Sequence, residues 1–328
     1  MTSLVNKMVC IRFGVLAVFA FLIAVNHYAF QVKDQVKDEN NEAECHYVSS
    51  RGILKSCNIY SKPPSSSATS LNSQEWKIKG NDVVYVQGSA LKYFIQHVLP
   101  QIDCNFTLVT GDCDEAMPND VLSLNEFVLL VDDKRLRHWY SQNLIIAHPK
   151  MTAIPIGLDY HSDYYKWWRT SLYRASEQEA DLMSIAKSAS NVRIRRCYAN
   201  FHFSTYLDRK KAQEEVPSEL VYYESERTAT RQESWKRQAH FHFVLSPHGN
   251  GLDCHRTWEA LVLGCIPIVK RSSIDPLYEG LPVLIVDHWY DVTQELLNSA
   301  LNRFSNEKFN LDKLTLEYWK HKIMSVQV

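Results

Sequence analysis

Short apolar runs alternate with amphipathic stretches along most of this chain, and the alternation begins near residue 80. Asp82-Val83-Val84-Tyr85-Val86 reads as a strand, and Ala90–Val98 as a helix that carries Leu91, Phe94, Ile95 and Val98 on one face. A strand at Phe106–Val109 ends at Gly111-Asp112, a helical stretch includes Val121–Val131, and strands are expected at Leu144–Ala147 and Ala153–Ile156. The Glu-, Ala- and Ser-rich segment Glu177–Ser188 predicts a bridging helix. A second series follows, with strands at Arg193–Tyr198, Val221–Tyr223, Phe241–Leu245, Ile266–Val269 and Val283–Val286, and a terminal helix over Leu311–Ile323. Strands alternating with helices imply parallel βαβ units with helices on both sheet faces. Two such series predict an α/β protein of two Rossmann-like domains, residues 76–165 and 166–328, facing each other across a cleft.

The amino-terminal pattern differs. Phe13–Val25 carries no charge and is almost wholly apolar, and the stretch from Met8 to Phe30 reaches the ~20 residues of a spanning helix. Lys7 and Arg12 precede it, so residues 1–30 are expected to be a cytosolic tail and signal-anchor helix with the rest of the chain lumenal. A cleavable signal peptide is the rival; the bulky Asn26-His27-Tyr28 offers no small-residue cleavage site. Residues 31–75, charged over Lys33–Glu44 and rich in Ser, Pro and Asn over Lys62–Ser73, are expected to form a stem. Lumenal placement agrees with the sequon Asn105-Phe106-Thr107, a candidate glycosylation site, and with the spacings Cys45/Cys57 and Cys104/Cys113, which suit disulfides. A composition of 45% hydrophobic and 22% charged residues is globular, and a net charge of -1 gives no reason to expect a nucleic-acid partner.

Candidate chemistry concentrates in 240–270. The apolar strand Phe241–Leu245 runs into Ser246-Pro247-His248-Gly249-Asn250-Gly251, and a helix is expected from Asp253 as N-cap, through Trp258 and Leu261, to Gly264 as C-cap. A strand, a glycine loop and a helix start make a place for an anion: unpaired amides point outward and the helix dipole favours negative charge. Arg256 and Glu259 share a helix face, with His255 four residues before Glu259. Alone, the pair reads equally as a surface ion pair worth a few tenths of a kcal/mol. Beside the glycines it reads as a clamp for phosphate oxygens and an acceptor for a ribose diol. A dinucleotide fingerprint fails, because its third glycine position is Cys254 and Lys270-Arg271 follow Val269 where an acidic residue is required.

Leu245-Ser246-Pro247, Gly249, Arg256-Thr257-Trp258-Glu259-Ala260-Leu261 and Gly264-Cys265-Ile266-Pro267-Ile268-Val269 resemble the exostosin-type glycosyltransferases. The resemblance implies a GT-B fold whose second domain binds a nucleotide sugar, Golgi or endoplasmic-reticulum residence, type II topology and inverting transfer to a glycan or glycoprotein. The donor set would be Ser246, His248, Gly249, Asn250, Gly251, His255, Arg256 and Glu259, with Arg256 and Glu259 carried over as the diphosphate and ribose contacts. The loop His248–His255 is more elaborate than the family's usual one. The base for inverting transfer is expected from the first domain, at Asp159 or His161 after Pro155-Ile156-Gly157, with Asp112 and Asp114 as further strand-end carboxylates. Asp112-Cys113-Asp114 imitates a D-x-D metal motif, but the donor signal lies elsewhere, and neither metal nor other cofactor is expected. A catalytically silent nucleotide- or sugar-binding protein of the same fold is the alternative.

Overall fold

The computed structural model of the chain describes residues 40–73, 76–162, 172–190, 192–201, 207–224 and 230–325. The apolar run Phe13–Val25 lies outside the described residues, and no helix among them is long and apolar enough to cross a membrane. Two parallel sheets organise the rest. The first holds β1 (Asp82–Gln87), β2 (Phe106–Gly111), β3 (Leu136–Ser141) and β4 (Met151–Ala153), side by side in chain order. The second holds β5 (Ile194–Ala199), β6 (Val221–Tyr223), β7 (Phe241–Leu245), β8 (Ile266–Lys270) and β9 (Leu284–Val286), in the order β6-β5-β7-β8-β9. Its winding reverses between β5 and β7, the switch point in front of which doubly wound sheets bind ligands.

The strands read as near-continuous apolar runs because both faces of each sheet are covered. Val84, Val86, Leu108 and Trp139 pack under the helical stretch 88–101, while Cys197, Phe243 and Ile268 pack against Ala212 and Leu297. One further cluster joins the two sheets: Val83, Tyr85, Val109 and Tyr140 of the first share it with Tyr198, Val244 and Trp258 of the second.

Three expectations are corrected. The stem, residues 31–75, is folded from Asn40 onward: Val48, Ile53 and Leu54 are at most 1% exposed. Burying each contributes about 1.5–3 kcal/mol, which a solvated stem would forgo. There α1 (Ser50–Ser56) is capped by Ser49, whose hydroxyl accepts from the Gly52 amide, and Glu42 enters the interior paired to Lys55 at 2.7 Å. The chain's last helix, α8 (Leu316–Met324), does not belong to the second sheet's layers. It packs on α1, and Tyr140 of β3 donates its hydroxyl to the Lys322 carbonyl. Finally, all seven described cysteines are free thiols, so neither Cys45 with Cys57 nor Cys104 with Cys113 is bonded.

Strand positions differ at two places, the smaller difference being β4, which runs over Met151–Ala153 where Ala153–Ile156 was expected. Leu144–Ala147 makes only a bridge from Leu144 to Met117, and the third strand is Leu136–Ser141. Arg137 and His138 mask it in the sequence; in the sheet His138 finds Thr152 at 2.8 Å and the Trp139 indole donates to Thr110.

Candidate functional site

The loops that matter all leave the carboxyl ends of strands. After β7, the Ser246 hydroxyl lies 2.8 Å from Thr257 Oγ1, tying the loop to the helix that follows, α6 (His255–Val262). Asp253 is not its N-cap, as the sequence suggested. The cap position is Cys254, with no side-chain cap bond. The Asp253 carboxylate is instead buried and fully engaged: it accepts from the amides of Ile156 and Cys254, the Trp258 indole and the Tyr278 hydroxyl. Its own amide donates to Asn143 of the first sheet's loops. Diverting the aspartate this way leaves the first-turn amides of α6 without a protein carboxylate, the condition for binding an external anion.

A cavity of about 390 Å³ opens in front of that turn, lined among others by Gly249, Asn250, Gly251, Cys254, His255 and Arg256. The loop runs close to its neighbours at both glycines: a Cβ on Gly249 would stand 2.8 Å from the flexible end of the Arg209 side chain at Nη2, and one on Gly251 2.7 Å from Asn143 Nδ2. Arg256 is the decisive group. Its Nε donates to Asn200 beyond β5 at 2.7 Å, which places the guanidinium at the switch point between β5 and β7. Its Nη1 is buried with no hydrogen-bond partner among the described residues. Burial, with Arg209 nearby, lowers its pKa, while Cys254 and Glu259 act against that shift. A buried guanidinium remains charged, and an unanswered donor on it costs free energy that a phosphate oxygen would recover.

A second, larger cavity of about 720 Å³ adjoins it and shares Asp114, Ile156, Asn250 and His255 with the first. His161 lines it. The His161 Nδ1 lies 3.2 Å from Asp159 Oδ1, and the other Asp159 oxygen is held by Arg231 at 2.8 Å. Burial opposes ionisation of Asp159, but His161, His255, Arg231 and the Ser162 amide together hold its carboxyl well below the usual range. Burial, reinforced by Arg51 and His255, pushes His161 below the ordinary imidazole value against the pull of Asp159 and Asp112. The His255 Nδ1 sits 2.7 Å from the Gly157 carbonyl; a carbonyl only accepts, so the proton is on Nδ1 and Nε2 is left as an acceptor.

The structure thus gathers Gly249, Asn250, Gly251, His255 and Arg256 around one cavity, and His161 around the next. Ser246 is buried against Thr257, the His248 amide is spent on Asp208, and neither they, Glu259 nor Asp159 lines either cavity. Asp112 is committed to Arg51 at 3.4 Å, and Asp114 accepts from Asn250. Asn105 is exposed just before β2. Residues without a sequence signal complete the site: Arg209, Arg231, Asn143 and Asn200 stand far from the glycine loop in sequence, and only folding brings them to it.

Fold and site define a class: an α/β protein of two parallel sheets with a cavity lined by arginine and glycine at a switch point. No protein-family model matches the chain, and no curated protein matches it, so the exostosin resemblance rests on its motif residues. Among solved structures the chain is similar to α,α-trehalose-6-phosphate synthase from Burkholderia multivorans, at 11% identity and a TM-score of 0.39 over 76% of this chain and 72% of that one. It is similar as well to the Escherichia coli structure titled as trehalose-6-phosphate bound with UDP-2-fluoro glucose, at 11% identity and a TM-score of 0.35 over 75% and 69%. Superpositions this loose assign no function.

Proposed function

We propose that the chain is a nucleotide-sugar-dependent glycosyltransferase of GT-B architecture and exostosin-like donor segment, acting on a glycan or glycoprotein. The observation that carries the reading is Arg256, which lines the cavity at a helix start without a side-chain cap and whose buried Nη1 has no hydrogen-bond partner among the described residues. In this reading the diphosphate occupies the smaller cavity against Arg256 and the first-turn amides of α6, and the acceptor enters the larger one. Asp159 holds His161 by Nδ1, so Nε2 carries the lone pair. His161 takes the proton of the acceptor hydroxyl as its oxygen attacks the anomeric carbon. The bond to the diphosphate breaks on the opposite face, which inverts the centre. Arg256 and the amides stabilise the charge that develops on the leaving group, so the reading invokes no metal. Asp159, expected as a candidate base, becomes a positioning residue, because a carboxylate paired with Arg231 is too weak a base.

The apolar run Phe13–Val25 and the sequon at Asn105 support a type II anchor in the Golgi or endoplasmic reticulum, with the enzyme lumenal and Asn105 glycosylated. The test is thermal stabilisation of the purified protein by uridine and guanosine diphosphates. One of them raises the melting temperature, and Arg256→Ala abolishes the rise while leaving the protein folded. An unchanged response in that variant removes the donor site from Arg256. A protein that responds to neither diphosphate is not this enzyme.

A further inference from the structure

The two adjoining cavities differ in the charges that line them. Arg209 and Arg256 line the smaller one, with Asp253, whose carboxylate is taken up by four donors, and Asp114, which it shares with the larger. The larger has four carboxylates in its wall, Asp112, Asp114, Glu115 and Asp120, and neither lysine nor arginine. Arg51, standing behind the wall, neutralises Asp112. The other three have no ion-pair partner among the described residues: Asp114 accepts from the Asn250 amide group, and Asp120 from the Ala116 backbone amide. Hydroxyls supply much of the remaining wall, from Ser50, Ser66, Ser67, Thr69 and Ser89. Carboxylates accept from sugar hydroxyls in short, charge-assisted bonds, and serine and threonine hydroxyls both donate and accept. Such a wall suits a ligand rich in hydroxyls. It repels one that brings its own negative charge, since like charges at a few ångströms in a partly desolvated cavity are poorly screened.

We infer that the larger cavity is an acceptor subsite for a neutral, polyhydroxylated sugar and excludes acceptors bearing phosphate, sulfate or carboxylate near the reacting hydroxyl. This rests on the glycosyltransferase reading. It adds a division of labour in which the cavity that holds Arg209 and Arg256 takes the anionic donor, and Glu115 and Asp120, which line the larger cavity alone, keep that donor's phosphates out of the acceptor's place. Selectivity of this kind is built by repulsion as much as by attraction.

The experiment uses the full-length protein, saturated with whichever nucleoside diphosphate stabilises it. It is applied to an array of matched glycans, each neutral structure beside its sulfated, phosphorylated or uronic-acid form. Neutral members bind, and their anionic counterparts bind at least about tenfold more weakly. In Glu115→Gln/Asp120→Asn, which leaves the Asp114–Asn250 contact in place, the gap closes to about threefold or less while the diphosphate shift persists. Equal or tighter binding of the anionic forms overturns the inference, as does a gap unmoved by the double substitution, or the absence of any glycan binding. In each of those cases a retained diphosphate shift leaves the donor site standing; loss of that shift in the parent protein sinks the glycosyltransferase reading itself.

Discussion

His161 is where protonation bears on the proposed reaction. Burial lowers its pKa from the ordinary 6.5, so the imidazole is neutral, as the proposed base must be, through the physiological range. Activity is therefore flat at neutral pH and falls as pH drops through a value below 6.5. Asp159 raises that value, so Asp159→Asn moves the acidic limb of kcat/KM further down while lowering kcat through loss of orientation. A limb that stays in place would show that His161 is not the titrating base. His161→Ala reduces kcat by about 10²–10⁴-fold and leaves the diphosphate shift intact. The Asp159 carboxyl is depressed in the folded state. Its stabilising contribution is present above its unfolded value, near 3.8, and is lost as pH falls through the lower folded one. It does not contribute to pH effects near neutrality.

At the scale of elements, the loop that carries His161 is fixed by a glycine and by a neighbour from the far amino-terminal side. Gly157 has φ +65, and a Cβ there would stand 2.2 Å from the Val48 carbonyl oxygen. Gly157 bridges Ser49, and the Leu158 amide donates to Val48. Gly157→Ala is expected to cost at least about 1–2 kcal/mol from the left-handed backbone alone, and more from the contact with Val48. Chemical denaturation measures that loss, and kcat should fall further than diphosphate affinity because the displaced loop carries the proposed base. Most elements were legible from apolar periodicity, since β1, β2, β5, β7 and β8 lie within a residue or two of their expected places. The exceptions share a cause. β3 is interrupted by Arg137 and His138, and α1 sits in a polar stretch with only Ile53 and Leu54 as large apolar residues of its own, both buried, so neither pattern exceeded its background.

For the whole molecule, the cluster shared by both sheets couples their unfolding. Calorimetry should show one cooperative transition for the described part of the chain; two resolved transitions would mean that the shared cluster does not link the sheets. Trp319 of α8 is 1% exposed in that cluster and donates its indole N–H to the Lys313 carbonyl. Trp319→Ala is expected to cost about 3–5 kcal/mol and to lower the single transition as a unit. A mutant that loses only a separate minor transition would contradict the coupling.

The chain's own pattern determined the class of fold and the segment on which the proposed anion site is built, because strand periodicity, glycines and a helix start are local properties within a few residues of one another. Tertiary structure decided which groups are available for the proposed chemistry. Asp253 left the cap position to tie the sheets together, Asp159 was claimed by Arg231, and Asn200 came from another strand to aim Arg256. It decided the sign of the second cavity as well, since Asp112, Asp114, Glu115 and Asp120 face the donor loop only once the two sheets are packed. Charges and hydrogen-bond partners are set by proximity in space, and spacing along the chain carries no record of it.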